Sequence, residues 1–377
     1  MKLSKLIRRG AIALAGLASM LMVSSLHAEY AFNMTKGVTP ISRQIYGLHM
    51  IVFWICAVVG IAVFAVMAWS IIYHRKSRGA VAASFHESTT VEVIWTVAPL
   101  IVLIAIAIPA TITLIDLEDA KTNADINLQV TGIQWKWKYS YLDEDISFIS
   151  SLAQSSRDVI KDPTGKENYL LEVDQPVVLP INKKIRFLFH SSDVIHAWWV
   201  PELAVKQDVI PGYINDSWAI IEKTGTYRGQ CAELCGKDHG FMPIVVEAVT
   251  QPEYEQWIAG KKAEAVAVAA AAELQWSMQD LLAQGETVYR VNCQACHGAT
   301  GAGIPGIFPA MTNSTVATGS VTEHMNVVMN GRSGTAMAAY KNQLSDVDLA
   351  AVITFERNSL GNSVGDLVQP SAIKNAR

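Results

Sequence analysis

The run Cys231-Ala232-Glu233-Leu234-Cys235-Gly236-Lys237-Asp238-His239-Gly240-Phe241-Met242 places two thiols four residues apart, an imidazole four further on and a thioether three beyond that. Thiolate, imidazole and thioether form a soft nitrogen and sulfur donor set suited to copper. A second imidazole, His196, stands upstream in an apolar stretch that reads as a strand end before Pro201. Together these donors can hold two copper ions bridged by the two sulfurs. A bridged pair shares one unpaired electron with little ligand movement, which is electron-transfer chemistry rather than bond-making. A Cys-x3-Cys pair also suits a disulfide, a zinc site or reduced core thiols, and a disulfide is the default in an exported chain. Zinc has no use for Met242, however, and a disulfide has none for His239 and His196.

A second constellation lies nearer the C-terminus, at Cys293-Gln294-Ala295-Cys296-His297. Cys-x-x-Cys-His is the attachment pattern of c-type haem, in which two thioether bonds fix the porphyrin and the histidine is the proximal ligand. A thioredoxin-like pair is the alternative, against which both His297 and the exported context argue. A methionine some tens of residues later should supply the sixth ligand, because a Met/His pair raises the potential of an electron-transfer haem. Met311, Met325, Met329 and Met337 are available. Met325 and Met329 lie four apart in a predicted helix, where they pack. Met337 follows the irregular stretch Gly331 to Ala336, which can cross a haem face, and is the choice.

These groups need a scaffold. At 377 residues the chain has room for two or three domains. Apolar residues make up 51% of it and are concentrated near the front, as membrane segments require; a net charge of −4 offers no nucleic-acid footprint. Residues 1–28 read as a signal peptide, with Lys2, Lys5, Arg8 and Arg9 before the apolar stretch Ala11 to Val23; an uncleaved first anchor is the alternative. A hairpin over 29–120 follows, with spans at about 45–73 and 93–115. Cys56 is a small apolar filler in the first. The basic cluster His74-Arg75-Lys76-Ser77-Arg78 between the spans places that loop in the cytoplasm and everything after residue 116 outside it. Glu92, at the start of the second span, either complements the helix dipole or opens a proton path.

From 121 to 258 the pattern turns to short β-branched and aromatic runs: Ile126 to Ile133, Trp135 to Tyr141, Tyr169 to Val173, Ile185 to Phe189, Ser217 to Ile221 and Met242 to Val249. This spacing predicts an antiparallel sandwich whose last two strands flank the copper run. Trp135, Trp137, Tyr139 and Tyr141 alternate and so share one face, either as packing or as an electron-uptake patch. Residues 259–278 read as an Ala, Lys and Glu linker that could be helical but lacks a convincing apolar face. Residues 279–365 read as a helical domain, with Leu281, Leu282, Val288 and Val291 leading into the Cys-x-x-Cys-His motif. A closing helix starts at Ser345, capped by Asp348. Residues 366–377 read as a disordered tail.

Taken together, the two-span hairpin, the Trp135 strand, His196-Ala197-Trp198 followed by Asp208-Val209-Ile210-Pro211-Gly212, the copper run and the haem motif resemble a known family. It is subunit II of haem-copper cytochrome c oxidases, in the bacterial caa3-type form that carries a fused cytochrome c domain. The resemblance implies a two-helix transmembrane hairpin, an all-β cupredoxin-like Greek-key sandwich and a small all-α class I cytochrome c domain. It implies the binuclear copper centre CuA, with Cys231 and Cys235 bridging. His196 and His239 would each bind one copper, Met242 one of them and the Glu233 carbonyl the other. The Glu233 side chain would look toward a magnesium or manganese ion shared with subunit I. Trp135 would take the electron from an external cytochrome, and Glu92 would be the mouth of a proton path into subunit I. One haem c would hang from Cys293 and Cys296, with His297 and Met337 on its iron.

Three positions depart from the family pattern: Ile133 where histidine is frequent, Tyr213 where arginine is, and Ala338 where proline often follows the axial methionine.

The function so implied is electron input to a proton-pumping terminal oxidase of the bacterial inner (cytoplasmic) membrane, with the copper and haem domains on the periplasmic or outer side. Electrons would pass from haem c to CuA and on to haem in subunit I, where oxygen is reduced to water; this chain houses no oxygen-reducing site. Implied partners are subunits I and III, membrane lipid, and cytochrome c or the cytochrome bc1 complex as donor. A membrane-anchored copper-delivery protein would leave the haem motif unused. A quinol oxidase subunit II would lack the metal ligands, and a nitrous oxide reductase would need a large histidine-rich domain that is not in the chain.

Overall fold

The structure, a computed structural model, describes residues 33–82, 84 and 86–377, so the signal peptide expected over 1–28 lies outside the described residues. Two long helices open it, α1 (Pro40–Tyr73) and α2 (Thr89–Glu118). α1 starts at a capping box in which the Thr39 hydroxyl accepts from the Ser42 N–H at 3.0 Å, with Pro40 in the first turn, where its missing N–H costs nothing. Its 34 residues span roughly 51 Å at the α-helical rise. Large apolar side chains stand fully outward along both helices, Phe64 at 71% and Leu103 at 64% exposure. Water would not tolerate two such surfaces, and a lipid bilayer covers them. Near residue 116 the Gln44 side chain donates to Asp116 at 3.1 Å, tying the two helices together.

The next domain is a sandwich of two five-stranded sheets. One has the order β3-β2-β1-β5-β8, from β1 (Ile126–Ile133), β2 (Lys136–Tyr141), β3 (Ile146–Ser150), β5 (Lys184–Ser191) and β8 (Asn215–Ile220). The other has the order β4-β10-β9-β6-β7, from β4 (Val177–Pro180), β6 (His196–Val200), β7 (Val205–Val209), β9 (Gly225–Cys231) and β10 (Pro243–Val249). β1 pairs parallel to β5 and β10 parallel to β4, the crossovers of a Greek-key, cupredoxin-like arrangement. Alternate residues of β2 and β5, with Trp198 of β6, fill the space between the sheets: Trp137, Tyr139, Tyr141, Phe187 and Phe189 are all buried. The Trp218 indole donates to the Asp116 and Leu117 carbonyls at 3.0 and 3.1 Å, and Arg43 forms a two-pronged ion pair with Glu222, so the sandwich sits on the outer end of the hairpin.

Two expectations fail here. Tyr169 to Val173 is not a strand. Asn168 and Leu170 take left-handed φ values of 50° and 60°, which break an extended run, and Val173 makes only an isolated bridge to Leu152. The expected linker takes its helical form up to residue 271, as the far part of α3 (Gln251–Ala271), which continues directly from β10 through a Thr250/Glu253 capping box. Its first turns dock Tyr254, Trp257 and Ile258 on the sandwich core, and this anchorage supplies the apolar face that residues 259–271 lack.

The C-terminal domain is helical: α4 (Met278–Asn292), α5 (Gln294–His297), α6 (Val321–Asn330), α7 (Asp346–Asn358) and α8 (Pro370–Ala376). α4 and α7 cross at Gly285, where an added Cβ would lie 2.2 Å from the Ala351 carbonyl oxygen, so only glycine permits this approach. The disordered tail is the second failed expectation. Val368 and Ile373 are buried, the Gln369 side chain bonds both the N–H and the carbonyl of Trp276, and α8 packs on the domain. Two apolar anchors spaced five apart, with Pro370 in the first turn, are enough to order so short a segment.

Candidate metal centre and haem-attachment site

His196 is the first residue of β6 and Cys231 the last of β9, and these strands are neighbours with Trp198 paired to Cys231. The β9–β10 loop then carries Cys235 and His239 back over the strand ends, and Met242 precedes β10. The ligand atoms of His196, Cys231 and Cys235 lie within 4.8 Å of one another, all buried. The two sulfurs are 3.9 Å apart. Cys231 Sγ lies 4.0 Å from His196 Nδ1 and 3.4 Å from the Glu233 carbonyl oxygen. Cys235 Sγ lies 3.5 Å from His239 Nδ1 and 3.5 Å from Met242 Sδ. All six predicted copper donors thus converge on one sulfur pair. A soft metal bonds thiolate at about 2.3 Å, so a metal between sulfurs at this separation reaches both; the donor set fits copper.

Supporting groups fix these ligands. A carboxylate only accepts, so His196 donates from Nε2 to Asp193 Oδ1 at 2.9 Å and turns its Nδ1 lone pair toward the sulfurs. Gly132 lies against the ring: a Cβ there would come within 2.7 Å of His196 Cδ2. The Trp137 indole donates to the Met242 carbonyl at 3.1 Å, and its ring stands edge-on to His196. Gln134 and Trp135 both donate to the Cys235 carbonyl, at 2.8 and 3.1 Å. Trp135 does not share the strand of the other three aromatics. β2 starts one residue later, and Trp135 is half-buried in the turn against the copper loop.

Charge follows the same geometry. The hydrogen bond from the Cys235 thiol, opposed by burial and aided by His196, draws the Cys231 pKa down to about 3, and the same bond pushes Cys235 far above the usual thiol range. Burial lowers the His196 pKa, but Asp193 and Cys231 outweigh it and leave it raised.

The remaining predicted residues are placed as follows. Glu233 is exposed on the copper loop. Glu92 is exposed in the first turn of α2, roughly 36 Å of helix from Asp116 at the α-helical rise, so the fold does not bring it to the copper site.

The haem motif occupies the end of α4 and α5, beside a cavity of about 410 Å³ lined by Cys293, Cys296, His297 and Met337. His297 Nδ1 donates to the Pro309 carbonyl at 2.9 Å, which leaves Nε2 as a free lone pair. Met325 and Met329 are buried in the domain core, as expected. In the cavity wall His324 and Glu356, each 2% exposed, bond at 2.9 Å, and His324 Nδ1 has no protein partner. Burial, then the Glu356 carboxylate, raises the Cys293 thiol. Two thiols and an imidazole on one side and a thioether on the other fit a covalently bound haem.

The sequence reading missed Asp193, Gln134, Trp137 as a ligand support, and the Glu356 pair. Only Asp193 carried a signal, an acid three residues before a ligand histidine.

Known proteins match each part in turn. Residues 126–249 match the family described as cytochrome c oxidase subunit II, periplasmic domain, residues 27–112 its transmembrane domain, and residues 280–355 the family described as cytochrome c oxidase, cbb3-type, subunit III. The probable cytochrome c oxidase subunit 2 of Rickettsia felis is 36% identical over 228 residues, 60% of this chain and 71% of that one. The mitochondrial cytochrome c oxidase subunit 2 of Glycine max is 36% identical over 226 residues, 60% of this chain and 57% of that one. A solved periplasmic domain of cytochrome oxidase subunit II from Bradyrhizobium japonicum is 42% identical, with 37% of this chain and 96% of that one covered, at a TM-score of 0.34. The chain belongs to the cytochrome c oxidase subunit II family, as a copper-binding membrane subunit with a fused cytochrome c domain on the electron-input side of a haem-copper oxidase.

Proposed function

We propose that the chain relays single electrons from a haem c at Cys293 and Cys296 to a binuclear CuA centre, and from there to haem in subunit I of a proton-pumping oxidase. One observation carries this reading: the haem-attachment loop lies on the copper loop, with Lys237 Nζ donating to the Ala295 carbonyl, between the two attachment cysteines, at 2.6 Å. Bound copper and bound haem would each supply a one-electron carrier. Cys231 and Cys235 would bridge the copper ions, His196, His239, Met242 and the Glu233 carbonyl would complete them, and His297 and Met337 would hold the haem iron. The buried sandwich around Trp137 and Trp198 keeps these ligands from shifting as charge changes, and Asp193 holds the His196 tautomer. Trp135, joined to the Cys235 carbonyl, is the aromatic through which charge reaches the copper loop.

The exposed Glu233 carboxylate is assigned to a magnesium or manganese ion shared with subunit I, and Glu92 to a proton path into it. Subunits I and III are the proposed membrane partners, cytochrome c or the cytochrome bc1 complex the donor, and a bacterial inner membrane the location. We assign 29–120 to the hairpin, 121–258 to the CuA domain and 279–365 to the cytochrome domain. Removing residues 272–377 from the assembled oxidase should slow turnover when the donor is limiting; unchanged turnover refutes the relay.

A further inference from the structure

Between the copper domain and the cytochrome domain lies a charge that neither centre uses as a ligand. Lys136, the first residue of β2 and the neighbour of Trp135, is only 6% exposed. Its ammonium donates to Asn292 Oδ1 at 2.7 Å and stands 5.1 Å from the centre of the Tyr340 ring. Asn292 immediately precedes Cys293, and its carbonyl accepts from the Tyr340 hydroxyl at 2.9 Å. Tyr340 in turn lies three residues beyond Met337 and lines the haem cavity. One lysine of the copper domain thus touches both segments that close the haem site. Two further lysines support the contact from the same side: Lys237 on Ala295, and Lys138, whose Nζ lies 3.5 Å from the Asn342 carbonyl.

A lysine is rarely buried unless paired, and no carboxylate meets Lys136 here: its partners are a side-chain amide oxygen and an aromatic face. A neutral side chain would pack such a seam at less cost. Burial draws the ammonium down, with Asp174 and Asp193 pulling it up and Arg157 pulling it down; Cys293, which would pull it up as a free thiolate, carries no charge as a haem thioether. Its donation to the Asn292 amide oxygen and its place over the Tyr340 ring face suit the charged form. Tyr340 is held neutral by burial, so it does not cancel that charge. A fixed positive charge at the edge of a low-dielectric haem pocket favours the form of the haem with one more electron.

We propose that Lys136 is a positioning residue that latches the haem-attachment segment onto the copper domain and whose charge raises the potential of the haem held there. Lys136 gains and loses nothing in the transfer: one electron leaves the haem side, one arrives at the copper side, and the lysine keeps its protons. The inference rests on the relay reading.

The test uses the full chain loaded with copper and haem, by redox titration of the haem absorption. In Lys136→Met the reduced-to-oxidised ratio at a fixed ambient potential should fall about tenfold, a shift of about 59 mV for one electron. Lys136→Arg, which keeps the charge, should stay within twofold of the parent. Should Lys136→Met fail to take up haem, Lys136→Gln, which keeps a donor for Asn292 Oδ1 without the charge, takes its place and should show the same tenfold fall. A Lys136→Met or Lys136→Gln ratio equal to the parent's overturns the proposal. Absence of electron exchange between haem and copper in the parent, whatever its potentials, overturns the relay instead.

Discussion

Trp137 offers the sharpest separation of structural support from ligand support. Its side chain is fully buried, its N–H satisfies the carbonyl of the proposed copper ligand Met242, and its ring lies against the proposed copper ligand His196. Trp137→Phe removes about three buried ring atoms, worth about 2 kcal/mol at roughly 0.8 kcal/mol per buried methylene. It also strands the Met242 carbonyl without a donor, at about 1–3 kcal/mol. Trp198→Phe is the matched control. It is equally buried, but its N–H serves the Tyr139 hydroxyl at 3.2 Å, a group that can turn to another partner. Trp198→Phe should therefore lose about 2 kcal/mol in thermal unfolding of the copper-free chain in detergent, and Trp137→Phe about 3–5 kcal/mol. Trp137→Phe alone should carry the added cost on the copper loop. If that cost falls on the bound state, copper release to a strong chelator accelerates by up to roughly 5- to 150-fold, while Trp198→Phe releases copper at the parent rate. Equal release from the two variants would refute the claim that Trp137 acts through Met242.

Asp193→Asn leaves one acceptor oxygen where the carboxylate uses both, for His196 Nε2 and for the Gln134 N–H. Copper affinity should fall about 10- to 100-fold, the usual cost of losing a partner behind a ligand, and an unchanged competition titration would remove Asp193 from the site. Gly285→Ala forces a Cβ to within 2.2 Å of the Ala351 carbonyl, so α4 and α7 must part. Overpacking of about 1–3 kcal/mol or more should lower the haem bound per chain in purified protein, and a full haem complement would mean that the crossing yields without loss.

The candidate donors could be picked out because copper and haem demand residue types at short spacing: Cys231 to Met242 and Cys293 to His297 stand out without a fold. Their supports were not, because they arrive from distant segments. Trp137 reaches Met242 across 105 positions and Lys136 reaches Asn292 across 156, and no local pattern encodes such a pairing. Strand β1 could be read from its apolar run, whereas β7 (Val-Lys-Gln-Asp-Val) and β9 (Gly-Thr-Tyr-Arg-Gly-Gln-Cys) are polar enough to pass for loops. They are strands because β6 pairs with both, a tertiary effect that outweighs propensity. The tail was misread for the converse reason: its two apolar residues look sparse until α7 and Trp276 are there to receive them.

The helical course of α3 bears on how the proposed relay would work. A flexible tether would only raise the local concentration of the haem domain, so that each transfer would wait on a chance encounter. Here the chain leaves β10 as a helix anchored by Tyr254, Trp257 and Ile258, and the haem-attachment segment is met by Lys136 and Lys237 of the copper domain. The separation of the two centres is then set by side-chain contacts rather than by linker statistics. Lengthening the segment between α3 and α4 with glycine and serine should leave the parent's haem-to-copper transfer rate nearly unchanged, whereas an encounter-limited tether would slow as the roughly −3/2 power of its length. A rate that falls steeply with insert length in flash-initiated transfer would show that the lysine contacts do not hold the domains together.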